Sequence, residues 1–148
     1  RYKLDEFTQF WNVLVGEMSV VGPRPQVQDG VDDYTEAEQG LLDARPGVTD
    51  FSSIVFADEG DILKDSENPD ADYDRIIRPW KSRLGLFYVE KRSIPVDLAL
   101  VGLTALALVS RRRALDMLSR LLEHLGAEPE LVSAARREGQ IPQGRIPE

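Results

Sequence analysis

The stretch "LALVGLTALALV", Leu98 to Val109, constrains this chain most: it is a run of twelve residues without a charge, apolar but for Gly102 and Thr104. At ~1.5 Å per residue a helix of that length reaches ~18 Å, short of a ~30 Å hydrocarbon core. It therefore reads as a buried or interfacial helix and not as a membrane span. Arg111, Arg112 and Arg113 follow it. Two readings of that pairing stand side by side. One is a helix lying on an anionic membrane surface. The other is a core helix whose basic C-terminal turn is favoured by the helix dipole. Beyond it, Leu115, Leu118, Leu121, Leu122 and Leu125 form a second helical pattern that Gly126 ends. From Arg136 onward Gly139, Pro142, Gly144 and Pro147 predict a loose tail.

Upstream, Phe7, Phe10, Trp11 and Leu14 recur at i, i+3, i+4 and i+7, an apolar stripe that predicts a helix over residues 5–15. Asp5 suits its N-cap and Gly16 its stop. Met18 to Gly22 is β-branched and reads as extended, and Gly22-Pro23-Arg24-Pro25 cannot be helix interior. A helix is expected over 34–44, a Pro-Gly turn over 45–50, a short strand at "FSSIVF" (51–56) and an acidic, loop-rich run over 58–74. A helix over 73–90 presents Ile76, Ile77, Trp80, Leu84, Phe87 and Tyr88, with Pro79 kinking or dividing it. The expected class is mainly α with a few short strands (α+β).

Composition removes several functions. With 148 residues the chain is long enough for one domain with a real core. Its net charge of -8, from 18 basic and 26 acidic residues, argues against a nucleic-acid partner. Absence of cysteine excludes disulfides, thiolate metal sites and a Cys nucleophile. His124 is the only histidine and reads as a plain surface residue, so a multi-His metal centre has no basis. "DADYD" (Asp70, Asp72, Asp74) imitates the start of an EF-hand, but Arg75 and Lys81 stand where that loop needs Gly and Glu. It reads as a solvated acidic loop. Neither a GxGxxG nor a P-loop pattern is present.

The chemistry-bearing candidates are few. Asp5 and Glu6 at a helix start are either a cap with a first-turn acid, or a carboxylate held as an anion and able to attack phosphorus. Two acids beside a pyrophosphate repel each other by roughly 4 kcal/mol per pair at 4 Å and an effective dielectric of 20. Such a site calls for Mg²⁺, which takes one or two carboxylates with phosphate oxygens, and for an arginine. Arg24, between two prolines, offers a guanidinium fork with little entropy left to lose; it equally suits a surface turn. Arg45 is a second anion ligand or a turn residue.

Taken together, "KLDEFTQFWNVLVGEMSVVGPRP", "RPGVTD" and "YVEKRSIPVDLAL" closely resemble the bacterial sugar transferase family, the monotopic polyprenyl-phosphate phosphoglycosyl transferases. The resemblance covers roughly residues 1–109. It implies a compact catalytic domain over 1–110 with interfacial amphipathic helices, followed over 111–148 by a C-terminal helical extension and loose tail. It implies transfer of a sugar 1-phosphate from a UDP-sugar to polyprenyl phosphate, initiating surface-glycan synthesis. It implies Asp5 as nucleophile and Glu6 as its partner, both near Mg²⁺, with Arg24, Arg45 and Asp97 as substrate- or phosphate-binding positions. A homo-oligomer is compatible with it. The implied place is the cytoplasmic face of the bacterial inner membrane.

Departures from the family pattern carry information. Only four residues precede Asp5, so the re-entrant hydrophobic helix of the family is expected to lie outside this chain, and the piece alone is expected to be soluble. Gly85 stands where many members have an Asp, three residues before Tyr88. "TDFSSIVFADEGDIL" replaces a TGWAQVNGR-like stretch, so donor specificity does not transfer. A non-catalytic, partner-binding derivative of the same fold is the alternative reading.

Overall fold

The computed structural model describes residues 2–24 and 32–148, and over residues 2–6 the backbone alone. Helix α1 (Tyr2–Leu14) ends in a Schellman motif. Gly16 adopts φ +85°, the Gly16 N–H reaches the Val13 carbonyl and the Glu17 N–H reaches that of Asn12. The helix already runs from Tyr2, so Asp5 lies inside it and not at the expected cap.

Strand β1 (Ser19–Val21) pairs in parallel with β2 (Gly47–Thr49), in the register Ser19–Gly47 and Val21–Thr49. The Pro-Gly segment expected as a turn therefore opens a strand. The two chains nearly touch where β1 ends: a Cβ on Gly22 would meet the Arg45 carbonyl oxygen at 2.2 Å, and one on Gly47 would meet the Gly22 nitrogen at 2.0 Å. Only glycine fits at either place. Between the strands, a 3-10 helix (Glu38–Asp43) replaces most of the helix expected over 34–44. The turn leading into it carries the reciprocal bonds of a capping box: the Glu38 N–H donates to Thr35 Oγ1 and the Thr35 N–H donates to Glu38 Oε2.

The expected strand at 51–56 is instead helix α2 (Phe51–Val55). Its aromatic and β-branched composition favours a strand, but Asp50 caps the turn by accepting from the Ser53 N–H at 2.8 Å. The acidic run is not all loop: it contains α3 (Glu59–Leu63) and α4 (Pro69–Asp72), the latter capped by Asn68. Next, the chain passes through a π turn (Tyr73–Ile77) into α5 (Arg78–Lys91). Pro79 divides the expected helix here: with no N–H to donate it breaks the regular ladder, and the Arg78 N–H spans to the Tyr73 carbonyl.

Helix α6 (Ile94–Val109) is capped by Ser93 and breaks at Ser110. The arginine triplet consequently opens α7 (Arg111–His124) and does not close α6, so the dipole reading of those charges fails. A second Schellman motif at Gly126 (φ +86°) ends α7, and α8 (Pro129–Arg136) folds back on it. His124 is exposed at the C-terminal end of α7.

One hydrophobic cluster joins these elements. Phe51, Ile77, Trp80, Leu84, Leu100, Leu118 and Leu122 are among its fully buried members. It runs without a break from α2 and α5 into α7 and α8. The chain beyond Arg137 has no regular secondary structure, yet it packs on α5, where Trp80 Nε1 donates to the Pro142 carbonyl at 2.8 Å.

Candidate functional site

The parallel strand pair places the Gly22-Pro23-Arg24 loop beside the Arg45-Pro46-Gly47 entry to β2, with the Gly47 N–H bonded to the Pro23 carbonyl at 2.9 Å. Two segments over twenty residues apart in sequence thus become one surface. Arg24 and Arg45 are both exposed on it. Arg24 lines a cleft of about 270 Å³ walled by the 3-10 helix, the π turn and α5, whereas Arg45 is outside that lining.

Four α5 residues face the cleft: Arg78, Lys81, Ser82 and Gly85, at i, i+3, i+4 and i+7. This polar stripe on the back of the apolar one is a helical signal that sequence reasoning missed. Arg78 makes a two-point contact with buried Glu38, Nε to Oε1 at 3.2 Å and Nη2 to Oε2 at 2.8 Å. Ser82 donates to the same carboxylate. Burial pushes the Glu38 carboxyl up, but the hydrogen bonds from Arg78, Ser82 and the Thr35 N–H outweigh it and hold the group below its ordinary value. Lys81 pairs with Glu59 and lies 5.3 Å from the centroid of the Tyr73 ring. These cations are therefore held in place by acids behind them, while Arg24 makes no ion pair among the described residues.

Asp50 contrasts with Glu38. It is equally buried, and lines the cleft where Glu38 does not, but its partners are the hydroxyls of Ser52 and Ser53 and one N–H. Desolvation dominates, and its carboxyl titrates above the ordinary value despite those bonds and the nearby Lys81 charge.

Asp97 lies in the first turn of α6, behind β1, and does not line the cleft. It accepts from the buried Tyr88 hydroxyl at 2.7 Å, and that phenol oxygen also sits 3.3 Å from the Val21 carbonyl, directly before Gly22. Burial first, and then the Asp97 carboxylate, push the Tyr88 phenol up, so it stays a proton donor. The side chains of Asp5 and Glu6, and Pro25 of the Pro-Arg-Pro motif, lie outside the described residues. Among the described residues no cluster of three or more acidic or His side chains suits a metal ion. Carboxylate oxygen at Asp5 and Glu6 remains the donor chemistry that fits Mg²⁺.

The sequence profile described as bacterial sugar transferase matches residues 1–111, three quarters of the chain and every motif placed above. The chain belongs to the bacterial sugar transferase family. It is 36% identical over 105 residues to a UDP-glucose:undecaprenyl-phosphate glucose-1-phosphate transferase of Klebsiella pneumoniae, covering 68% of this chain and 20% of that protein. It is 32% identical over 108 residues to an undecaprenyl-phosphate galactose phosphotransferase of Salmonella typhimurium, covering 73% of this chain and 19% of that one. The exopolysaccharide production protein ExoY of Sinorhizobium fredii is 47% identical over 54 residues, 36% of this chain and 24% of its own length. The chain thus spans about a fifth to a quarter of these curated relatives. No solved structure gives a significant match.

Within this sugar transferase the Gly85 departure has a packing counterpart. A Cβ at Gly85 would come 2.6 Å from Leu41 Cδ2, so the Leu41 side chain packs directly against α5 at this position.

Proposed function

We propose that this chain carries the catalytic part of a phosphoglycosyl transferase, which moves a sugar 1-phosphate from a UDP-sugar to polyprenyl phosphate in surface-glycan synthesis. The reading is carried by the family match over residues 1–111, whose relatives are named for sugar-phosphate transfer to undecaprenyl phosphate. The Asp5 carboxylate attacks the phosphorus that bears the sugar; the bond to the leaving UMP oxygen breaks, and an aspartyl phosphosugar remains. A polyprenyl phosphate oxygen then attacks the same phosphorus and releases Asp5 as a carboxylate. Splitting the anion-on-anion reaction in this way needs positive charge near the phosphates. Asp5 and Glu6 would hold Mg²⁺, which when bound would supply part of it. Exposed Arg24 and Arg45, on the two loops that meet at the Gly47–Pro23 hydrogen bond, supply the rest. Asp97, fixed by Tyr88, orients the Val21–Arg24 loop from behind.

The acceptor is a lipid, and the exposed apolar faces support a membrane surface as the workplace. Phe7, Phe10, Trp11 and Leu14 on α1, and Ile94, Leu98, Val101, Leu108 and Val109 on α6, all face solvent. Among the described residues no helix is long and apolar enough to cross a membrane.

The test is a screen of UDP-sugars for UMP release, with protein extended by its natural upstream segment. Asp5→Asn should abolish the phosphosugar adduct seen by mass spectrometry; an adduct of undiminished yield removes Asp5 as nucleophile. Absence of UMP from every donor tried favours the non-catalytic derivative, which the Leu41-filled space at Gly85 also supports.

A further inference from the structure

The C-terminal extension lies beyond the family match, yet its last residues return to the candidate cleft. Three contacts hold this segment, two on α5 and one on Thr35. Trp80 Nε1 donates to the Pro142 carbonyl at 2.8 Å. Gly144 lies against the same indole so closely that a Cβ there would meet Trp80 Cε2 at 2.9 Å and Pro79 Cβ at 3.0 Å. The Thr35 hydroxyl donates to the Pro147 carbonyl.

The third contact ends on a working part of the cleft. The Thr35 hydroxyl accepts from the Glu38 N–H where the 3-10 helix begins, and the same residue's N–H binds the Glu38 carboxylate that fixes Arg78 and Ser82. Its neighbour Tyr34 lines the cleft. Residues 32–37 have little regular structure of their own, so the capping box needs an outside support.

We propose that residues 141–147 are a strap that holds the Tyr34–Asp43 wall of the cleft in its binding shape, so that the C-terminal extension tunes donor affinity from outside the family-matched residues 1–111. The affinity part of this proposal rests on the donor reading given above; the strap itself does not. Docked, the strap covers Trp80 and pins the turn leading into the 3-10 helix. Lifted, it exposes the indole and frees that wall to fray.

The test compares the full chain with a chain ending at Gln140 and with Gly144→Val, all in a Trp11→Phe background so that emission reports Trp80 alone. Gly144→Val keeps the full length of the strap but forces it off the indole. Both changes should red-shift Trp80 emission and raise amide hydrogen exchange across residues 34–43, with α7 and α8 still protected. Affinity for UDP with Mg²⁺ should fall about 5- to 30-fold, and a synthetic peptide of residues 137–148 added to the truncated chain should restore it. Unchanged exchange at residues 34–43 in both variants overturns the strap. Faster exchange with unchanged UDP affinity overturns its link to the cleft. If the full chain binds no UDP at all, the donor reading falls, and the exchange data still decide the strap.

Discussion

Helices α1 and α7 carry the same kind of apolar stripe and meet opposite fates. On α7, Leu115, Leu118 and Leu122 are buried under α6 and α8, and the charged face is outside. On α1, Phe7 and Leu14 are 78% and 79% exposed, and Phe10 and Trp11 are little less so. Helix α6 combines the two: Val96, Leu100 and Leu103 go inward, while Leu98 and Leu108 face out. Helical period thus determines that a face exists and says nothing of what covers it. In the C-terminal half the cover is protein. On the α1 side and the outer face of α6 it is not supplied by the described chain.

The comparison breaks most readily at Leu118, which is fully buried. Leu118→Ala should cost about 2–5 kcal/mol, from lost transfer energy and a residual cavity. Leu14→Ala on α1 should stay within about 0.5 kcal/mol. Chemical denaturation of the two variants checks this, and equal losses would mean that α1 is buried against something in solution.

A second, smaller effect tests how the two halves are joined. Arg111 and Arg137 both bind Asp58 and the Val55 carbonyl, so the C-terminal half caps the end of α2. Burial raises the Asp58 carboxyl, but the Arg137 hydrogen bond and the charges of Arg137 and Arg111 more than offset it, and its pKa is lowered. A carboxyl whose folded pKa is depressed contributes stability above its unfolded pKa and loses it as pH falls through the folded one. Asp58→Asn should therefore cost about 1–3 kcal/mol at neutral pH. The Tm gap to the unmodified chain should close on acidification below the ordinary carboxylate range. Asp50, with its raised pKa, works in the opposite sense: its burial as an anion destabilises, and protonation relieves that as pH falls. A Tm gap that stays constant with pH would show that the Asp58 carboxylate does not join the halves.

These outcomes also show which features the sequence discloses. The stripes of α1, α5 and α7 and the stops at Gly16 and Gly126 were legible, because period and glycine conformation are local. Helix α2 was misread although Asp50 and Ser53 already spelled a cap, since the β-branched run outweighed it. The β1–β2 pair was hidden: two three-residue strands carry no period, and the need for glycine at 22 and 47 appears only once they touch. The cleft was half legible. Thr35-x-x-Glu38 is a capping-box pattern and Arg78, Lys81, Ser82 and Gly85 share a helical face, but their union through Glu38 spans forty residues. Asp97 matched a motif, whereas its link to Val21 through Tyr88 is a property of the fold alone.

The smallest effect on stability should be the largest on location. Leu98 and Leu108 lie on the exposed side of α6, so changing both to Ser should move stability by no more than about 0.5 kcal/mol. Each leucine lodged in a lipid interface is worth roughly 1.5–3 kcal/mol, so the double variant should lose at least a hundredfold in vesicle partitioning. The charge dependence of that binding should be modest. Arg111 is tied to Asp58 and Arg112 to Glu138, which leaves Arg113 as the member of the triplet without an ion pair among the described residues. Sedimentation with neutral and with anionic vesicles separates the two contributions. A strong preference for anionic vesicles that survives the leucine changes would shift the contact from the apolar face of α6 to the basic start of α7.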